Sequence, residues 1–90
     1  MKALPDHVHA YKRTPRFDET TIPKGLRKEH KTAPGVWGVI HVVSGELLYR
    51  LAETGAETVL TPDRPGVSEP EALHSVTPRG PVSFYIEFWR

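Results

Sequence analysis

Two of the five histidines in this 90-residue chain stand beside carboxylates in a pattern that could do chemistry. Glu29 directly precedes His30, and Glu69 and Glu71 shortly precede His74 in the run Glu69-Pro70-Glu71-Ala72-Leu73-His74. First-row divalent ions take neutral imidazole nitrogens and carboxylate oxygens, and keep open positions for water or substrate. The mouth of a small β-barrel can supply such a set, because inward-pointing side chains of neighbouring strands approach one another there. The same spacing suits imidazoles that end strands and satisfy their own hydrogen bonds, and the residues alone favour that reading while leaving the other open. The other three histidines point to structure. His7 and His9 share a face of the extended "HVH", but they sit in a proline-flanked arm and read as exposed terminus. His41, inside "VIHVV", reads as a half-buried strand residue.

Several other chemistries lack their residues. The chain has no cysteine, which removes disulfides, thiolate–zinc sites and cysteine nucleophiles together. It has no glycine-rich phosphate loop and no dinucleotide fingerprint. Ser68 and Ser75 lack the Gly-x-Ser elbow of a nucleophilic triad. Twelve basic residues against eleven acidic ones give a net charge of +1, unlike the concentrated basic face of a nucleic-acid binder. The one basic cluster, Lys24, Arg27, Lys28 and Lys31, alternates sides in an extended chain and reads as a solvated strand edge. Neither a nucleic-acid partner nor a membrane is expected, because the apolar runs fall far short of the ~20 residues that span a bilayer. The opening "MKALPDHVHAYKR" is not expected to be a signal peptide, which makes cytoplasmic location the default.

These residues must be positioned by short strands. Nine prolines and seven glycines chop the sequence into pieces, none of which holds an apolar helical repeat long enough for a stable helix. β-rich runs between turn signals predict a sandwich or barrel of one domain, 1–90, with a partly irregular N-terminal arm over 1–23. Strands are predicted near 8–11, over 26–31, and over 36–43 and 46–51 flanking a Ser44-Gly45 hairpin turn. Further strands follow over 58–61, 67–69, 74–77 and 82–89, with a hairpin turn at Pro78-Arg79-Gly80. In the last of these, Val82, Phe84, Ile86 and Phe88 share one face, while Ser83, Tyr85, Glu87 and Trp89 share the other. The first face must be buried, at roughly 1.5–3 kcal/mol per large apolar side chain. Trp37, Tyr49, Tyr85 and Trp89 could wall a ligand cavity or simply form β-core and dimer surface.

Taken together, "GLRKEHKTAPGVWGVIHVVSGELLYR", "PGVSEPEALHSV" and "FYIEFW" resemble a small cupin-like family related to the N-terminal domain of tellurite-resistance methyltransferase B proteins. The resemblance starts near "YKRTPRF" and runs to the end of the sequence. It implies an all-β, cupin-like barrel or sandwich (a double-stranded β-helix), a pocket around His30 and His74, and a bound divalent metal. Ordinary metal cupins carry a His-x-His pair and a glutamate ahead of the hairpin glycine. Here only His30 stands, with Thr32, Pro34 and Gly38 nearer Gly45. The remaining ligands would then be carboxylates, Glu69 first with Glu71 and Glu87 in reserve, or water. Zinc, iron, manganese and nickel all suit such donors. The family's methyl donor binds in a separate domain, so methyl transfer is not carried over. A tellurite, oxyanion or metalloid stress response is what the resemblance implies. The alternative is a non-catalytic small-molecule-binding or regulatory β-domain without metal. A chain this short buries only roughly 60–65% of its unfolded surface, so a homodimer is expected.

Overall fold

A computed structural model describes residues 3–90, so the first two residues of the expected arm lie outside it. Six strands and one helical turn follow in chain order: β1 Ala10–Arg13, β2 Phe17–Asp18, α1 Lys24–Arg27, β3 Trp37–Leu51, β4 Glu57–Leu60, β5 Gly66–Ser68 and β6 His74–Trp89. They form one antiparallel sheet in the order β1-β6-β3-β4, with β2 added to β6 and β5 added to β3. The chain is all-β, as its composition predicts, but among the described residues no pairing between the outer strands closes the sheet into a barrel.

The centre of the sheet is a ribbon of two long strands, 15 residues in β3 and 16 in β6. Straight, β3 alone would span roughly 46 Å at about 3.3 Å per residue. The molecule measures only 35 × 26 × 23 Å. The ribbon must therefore bend, and its pairing shifts register between Val42 and Ser44 and again between Gly45 and Leu47. Bulges of this kind add twist and bend a strand locally.

This corrects two predicted hairpins. Ser44-Gly45 does not reverse the chain; Gly45 pairs with Val82 across the ribbon. Pro78-Arg79-Gly80 likewise continues β6, with Pro78 opposite Leu47. Gly45 has φ +80, and a Cβ there would collide with the Pro81 carbonyl oxygen. Glycine is needed at that position for backbone approach, not for a turn.

The bend lets one face of the sheet pack on itself. Ile40 and Val42 from before the bulges meet Leu47 and Tyr49 from after them, together with Val76, Val82, Phe84, Ile86, Leu60 and Ile22. Phe88 is partly buried against this core, so the predicted apolar face of the last strand is the inner one. Val39, His41, Tyr85 and Glu87 lie on the outer face, paired Val39 with Glu87 and His41 with Tyr85. β4 and β5 pair with the same edge of β3, after and before the bend respectively, and β1 and β2 line the far edge of β6.

A second correction concerns residues 26–31, predicted as a strand. Pro23, at φ −56, precedes a single helical turn in which Leu26 N donates to Pro23 O at 3.0 Å. Leu26 packs on the core, and the chain becomes extended again only at Lys28. A proline that presets φ favours a turn start, and four residues are too few for an apolar period to reveal. The basic residues therefore stand on this turn and its exit, where Arg27 donates to Glu19 O at 2.8 Å.

Gly45→Ala should cost roughly 2–4 kcal/mol, because a left-handed conformation alone costs an L-residue about 1–2 kcal/mol and the Pro81 carbonyl must also move. Gly80, at φ +86, has open space for 4 Å around the point where a Cβ would stand, so Gly80→Ala should lose only the conformational part. Thermal unfolding of the two variants beside the parent checks the difference; equal losses would mean that the close approach at Gly45 contributes nothing.

Candidate functional site

His30 and His74 face each other across an isolated antiparallel bridge, in which each backbone N–H donates to the other's carbonyl at 2.9 Å. Directly opposed residues put their side chains on the same side of the pairing. The two rings accordingly meet edge to face with centroids 4.2 Å apart. On the other side of His74 its strand pairs with β3, His74 opposite Leu51. Tyr49 stacks on the His74 ring at 5.1 Å between centroids. His74 is 4% exposed, Tyr49 2% and Ser68 1%.

Hydrogen bonds assign the tautomers. His74 Nδ1 lies 2.8 Å from Ala72 O, and His30 Nδ1 lies 3.0 Å from Lys28 O. A carbonyl oxygen can only accept, so each Nδ1 carries the proton and each Nε2 keeps its lone pair in the neutral ring. Ser68 Oγ is a further neighbour of His74 Nδ1 at 3.1 Å. Burial pushes the His74 pKa below its ordinary 6.5; the Ala72 carbonyl opposes that shift and the nearby His30 adds to it. His74 is therefore neutral at pH 7. Burial also raises the Tyr49 pKa, opposed by a hydrogen bond with Ser68 and assisted by the Glu69 charge, so Tyr49 remains a phenol.

The turn that delivers His74 is tight. Ala72 N donates to Glu69 O at 3.2 Å, with Pro70 and Glu71 between them and Glu71 at φ 62. Proline followed by a positive-φ residue is the pattern of a type II turn, which ordinarily takes glycine or asparagine at the second place. Glu71 holds a conformation that an L-residue adopts at a cost. Such outliers persist where the surroundings over-determine them, often beside functional groups.

The expected ligand set divides in the structure. His30 and His74 come together. Glu69 is close enough for its charge to act on Tyr49, and its backbone oxygen accepts from Thr32 Oγ1 at 3.5 Å. Glu71 is exposed on the turn. Glu87 lies on the outer face, where its Oε1 sits 2.6 Å from His41 Nε2, so it and His74 occupy opposite faces of the sheet. Among the described residues no three His, Cys, Asp or Glu side chains converge as a metal-binding group. The aromatic residues divide as well. Tyr49 stands beside His74, while Trp37 and Trp89 pair across the ribbon on the outer face and Tyr85 stacks on His41 at 5.0 Å. His7 and His9 are exposed, and the His9 backbone pairs with that of Arg90.

Sequence reasoning overlooked Ser68, set aside as a nucleophile and now found against His74. The signal was its place one residue before Glu69, at the end of a strand aimed toward the same turn. It also overlooked the His41–Glu87 pair, whose partners are 46 residues apart.

The TehB-like domain family matches residues 12–86. The crystal structure of TehB from Haemophilus influenzae superposes with a TM-score of 0.84 at 28% identity, covering 93% of this chain and 32% of that one. The present chain thus spans about a third of the Haemophilus protein's length. A protein from Escherichia coli strain K12 superposes with a TM-score of 0.90 at 23% identity, over 100% of this chain and 97% of its own, and shares the fold. No curated protein matches.

Two outcomes follow from this geometry. With its folded pKa lowered, His74 binds fewer protons folded than unfolded, so its contribution is present above about pH 6.5 and is lost as pH falls toward the folded value. In chelator-treated buffer the parent should lose stability to urea between pH 7 and 5, and His74→Gln should flatten that slope; parallel slopes would contradict a neutral buried His74. Glu71→Gly should raise stability by about 0.5–1 kcal/mol, since the relief of a left-handed L-residue outweighs glycine's added chain entropy.

Proposed function

This chain belongs to the TehB-like domain family, and from that premise we propose that its His30–His74 pair seats a divalent cation within a cupin-like, bent-sheet pocket. The observation that supports this reading is the pair of tautomers. Both Nδ1–H groups are engaged by backbone carbonyls, which leaves two Nε2 lone pairs on rings 4.2 Å apart. Metal-binding imidazoles characteristically donate their other N–H to a carbonyl or carboxylate, which fixes ring orientation and raises ligand basicity. With both Nδ1–H groups so engaged, Nε2 is the nitrogen that each ring has left to offer an ion. Burial disfavours the proton on His74, so a metal ion is the better partner.

A bare oxyanion would find no positive charge on a neutral His74. It would be held through the cation, which acts as a Lewis acid when bound. Two protein nitrogens leave most coordination positions to water, with Glu69 as the oxygen donor best placed by its effect on Tyr49. Zinc, iron, manganese and nickel all suit such a set. The role that fits is the capture of a small oxygen-rich ligand, such as a metalloid oxyanion of the tellurite type, by an exchange-labile ion. Methyl transfer has no residues here to support it.

The alternative is a metal-free binding domain in which the imidazole pair is structural. It is favoured by one observation: among the described residues no three His, Cys, Asp or Glu side chains converge as a metal-binding group.

The test uses untagged protein stripped with chelator and titrated calorimetrically with zinc, then with nickel and manganese. One ion per chain should bind, and His30→Gln and His74→Gln should each weaken it beyond the roughly 10–100-fold that losing an outer-shell partner costs. Melting curves establish that the variants fold. Folded variants that bind as tightly as the parent, or a parent that binds no ion, would leave the metal-free reading in place.

A further inference from the structure

A second site stands on the other face of the sheet. β1 ends at Arg13 and β2 begins at Phe17, both on the far edge of β6. Between them the edge is broken by Thr14-Pro15-Arg16. Proline has no N–H to give to a ladder, and its fixed φ suits such a break on an edge strand. Beneath the break opens a cleft of about 290 Å³, lined by Arg13, Thr14, Pro15, Arg16 and Tyr85. That size suits a small ligand, at the lower end of the range of about 300–1,000 Å³ for ligand pockets.

Its chemistry is cationic. Two guanidinium-bearing residues flank the Thr14-Pro15 step, and Arg13 Cζ lies 5.2 Å from the centroid of the Tyr85 ring. A guanidinium over an aromatic face gains cation–π attraction while its N–H donors at the edge stay available. Glu87, the cross-strand partner of Arg13, directs its Oε1 to His41 Nε2. The ion pairs found among the described residues, His41–Glu87 and Arg79–Glu46, take up neither Arg13 nor Arg16.

The cleft is also held in place before any ligand arrives. Thr14 N donates to Ile86 O at 2.9 Å, Ile86 N donates to Thr14 Oγ1 at 3.0 Å, and Thr14 Oγ1 donates to Pro15 O at 2.8 Å. Phe17 packs against Phe84 with ring centroids 5.7 Å apart. The backbone carrying both arginines is therefore anchored on either side, which lowers the ordering entropy that binding must overcome. Tyr85, the floor of the cleft, is itself stacked on His41.

We propose that this cleft binds a small phosphate-type oxyanion, free or as an organic monoester, between the guanidinium groups of Arg13 and Arg16 beside the Tyr85 ring. Arginine's planar fork matches the paired oxygens of phosphate and carboxylate better than any other side chain. The site is separate from the imidazole pair, since Tyr85 and the inner-face residues Phe84 and Ile86 alternate along β6. It neither needs a metal nor shares a residue with the His30–His74 seat.

The experiment is a chemical-shift titration of the labelled full chain with inorganic phosphate at constant ionic strength, with chloride replaced as phosphate is added. Saturable shifts should concentrate at residues 13–16 and Tyr85. Arg13→Gln combined with Arg16→Gln should weaken phosphate by about tenfold or more, while His30→Gln/His74→Gln should leave its affinity unchanged. Shifts that never saturate, an affinity indifferent to the arginine substitutions, or equal losses in the histidine variant would overturn the proposal. Glucose-1-phosphate as a second probe distinguishes free anion from monoester: tighter binding than phosphate assigns the rest of the cleft to the organic portion, and exclusion assigns it to the anion alone.

Discussion

A hydrogen-bonded ribbon of fifteen- and sixteen-residue strands cannot lie straight in a molecule 35 Å long, and the rest of the structure follows from how it bends. Two register shifts around Gly45 turn the ribbon so that one face closes on itself. Phe84, Leu47 and Leu60 are thereby wholly removed from solvent. An unbent ribbon would leave that face to water, and a chain of this size has no second layer large enough to cover it. The glycine at the bend is irreplaceable in a specific sense: the opposing Pro81 carbonyl occupies the space where a side chain would begin.

The bend also separates two chemistries. Toward one end of the inner face, His30 and His74 meet edge to face, and burial opposes protonation of His74. On the outer face, at the break in the edge strand, two arginines stand by a tyrosine beside solvent. The first is where we propose a cation and the second where we propose an anion. Both rest on the same strand, because His74 opens β6 and Tyr85 lies near its end. Between them the alternation of the strand places consecutive residues in opposite surroundings, so that even a sheet this small has two unlike faces.

Much of this was legible where the signal was local. The alternation Val82, Phe84, Ile86, Phe88 identified the inner face of the last strand, and the absence of helical periods identified an all-β chain. Glycine was ambiguous. Ser44-Gly45 satisfies a hairpin turn and a bulge equally well, and the residues that decide between them, Pro78 to Val82, lie more than thirty positions away. The helical turn at Lys24–Arg27 was hidden for a different reason, since one turn has no periodicity and its cue is only Pro23. The meeting of His30 with His74 was anticipated as a pair of turn-proximal imidazoles and a family resemblance. The face occupied by Glu87 was not, because alternation gives two faces without saying which is inside. Arg13 and Arg16 were absorbed into an arm read as irregular, although a proline between two arginines beside strand-like sequence was the available cue.

The pairing of β1 with β6 has a consequence for how the molecule comes into being. Ala10 finds its partner in Trp89 and Arg13 in Glu87, so an early-made strand waits for a late-made one. A ribosome delivering this chain releases the edge, the bent ribbon's first arm and the inner tyrosine long before their counterparts exist. Closing so wide a loop carries its entropic penalty ahead of any reward in contacts. The edge therefore forms only once β6 has been made, and until those residues emerge the nascent chain must keep the apolar side of β3 from meeting strangers.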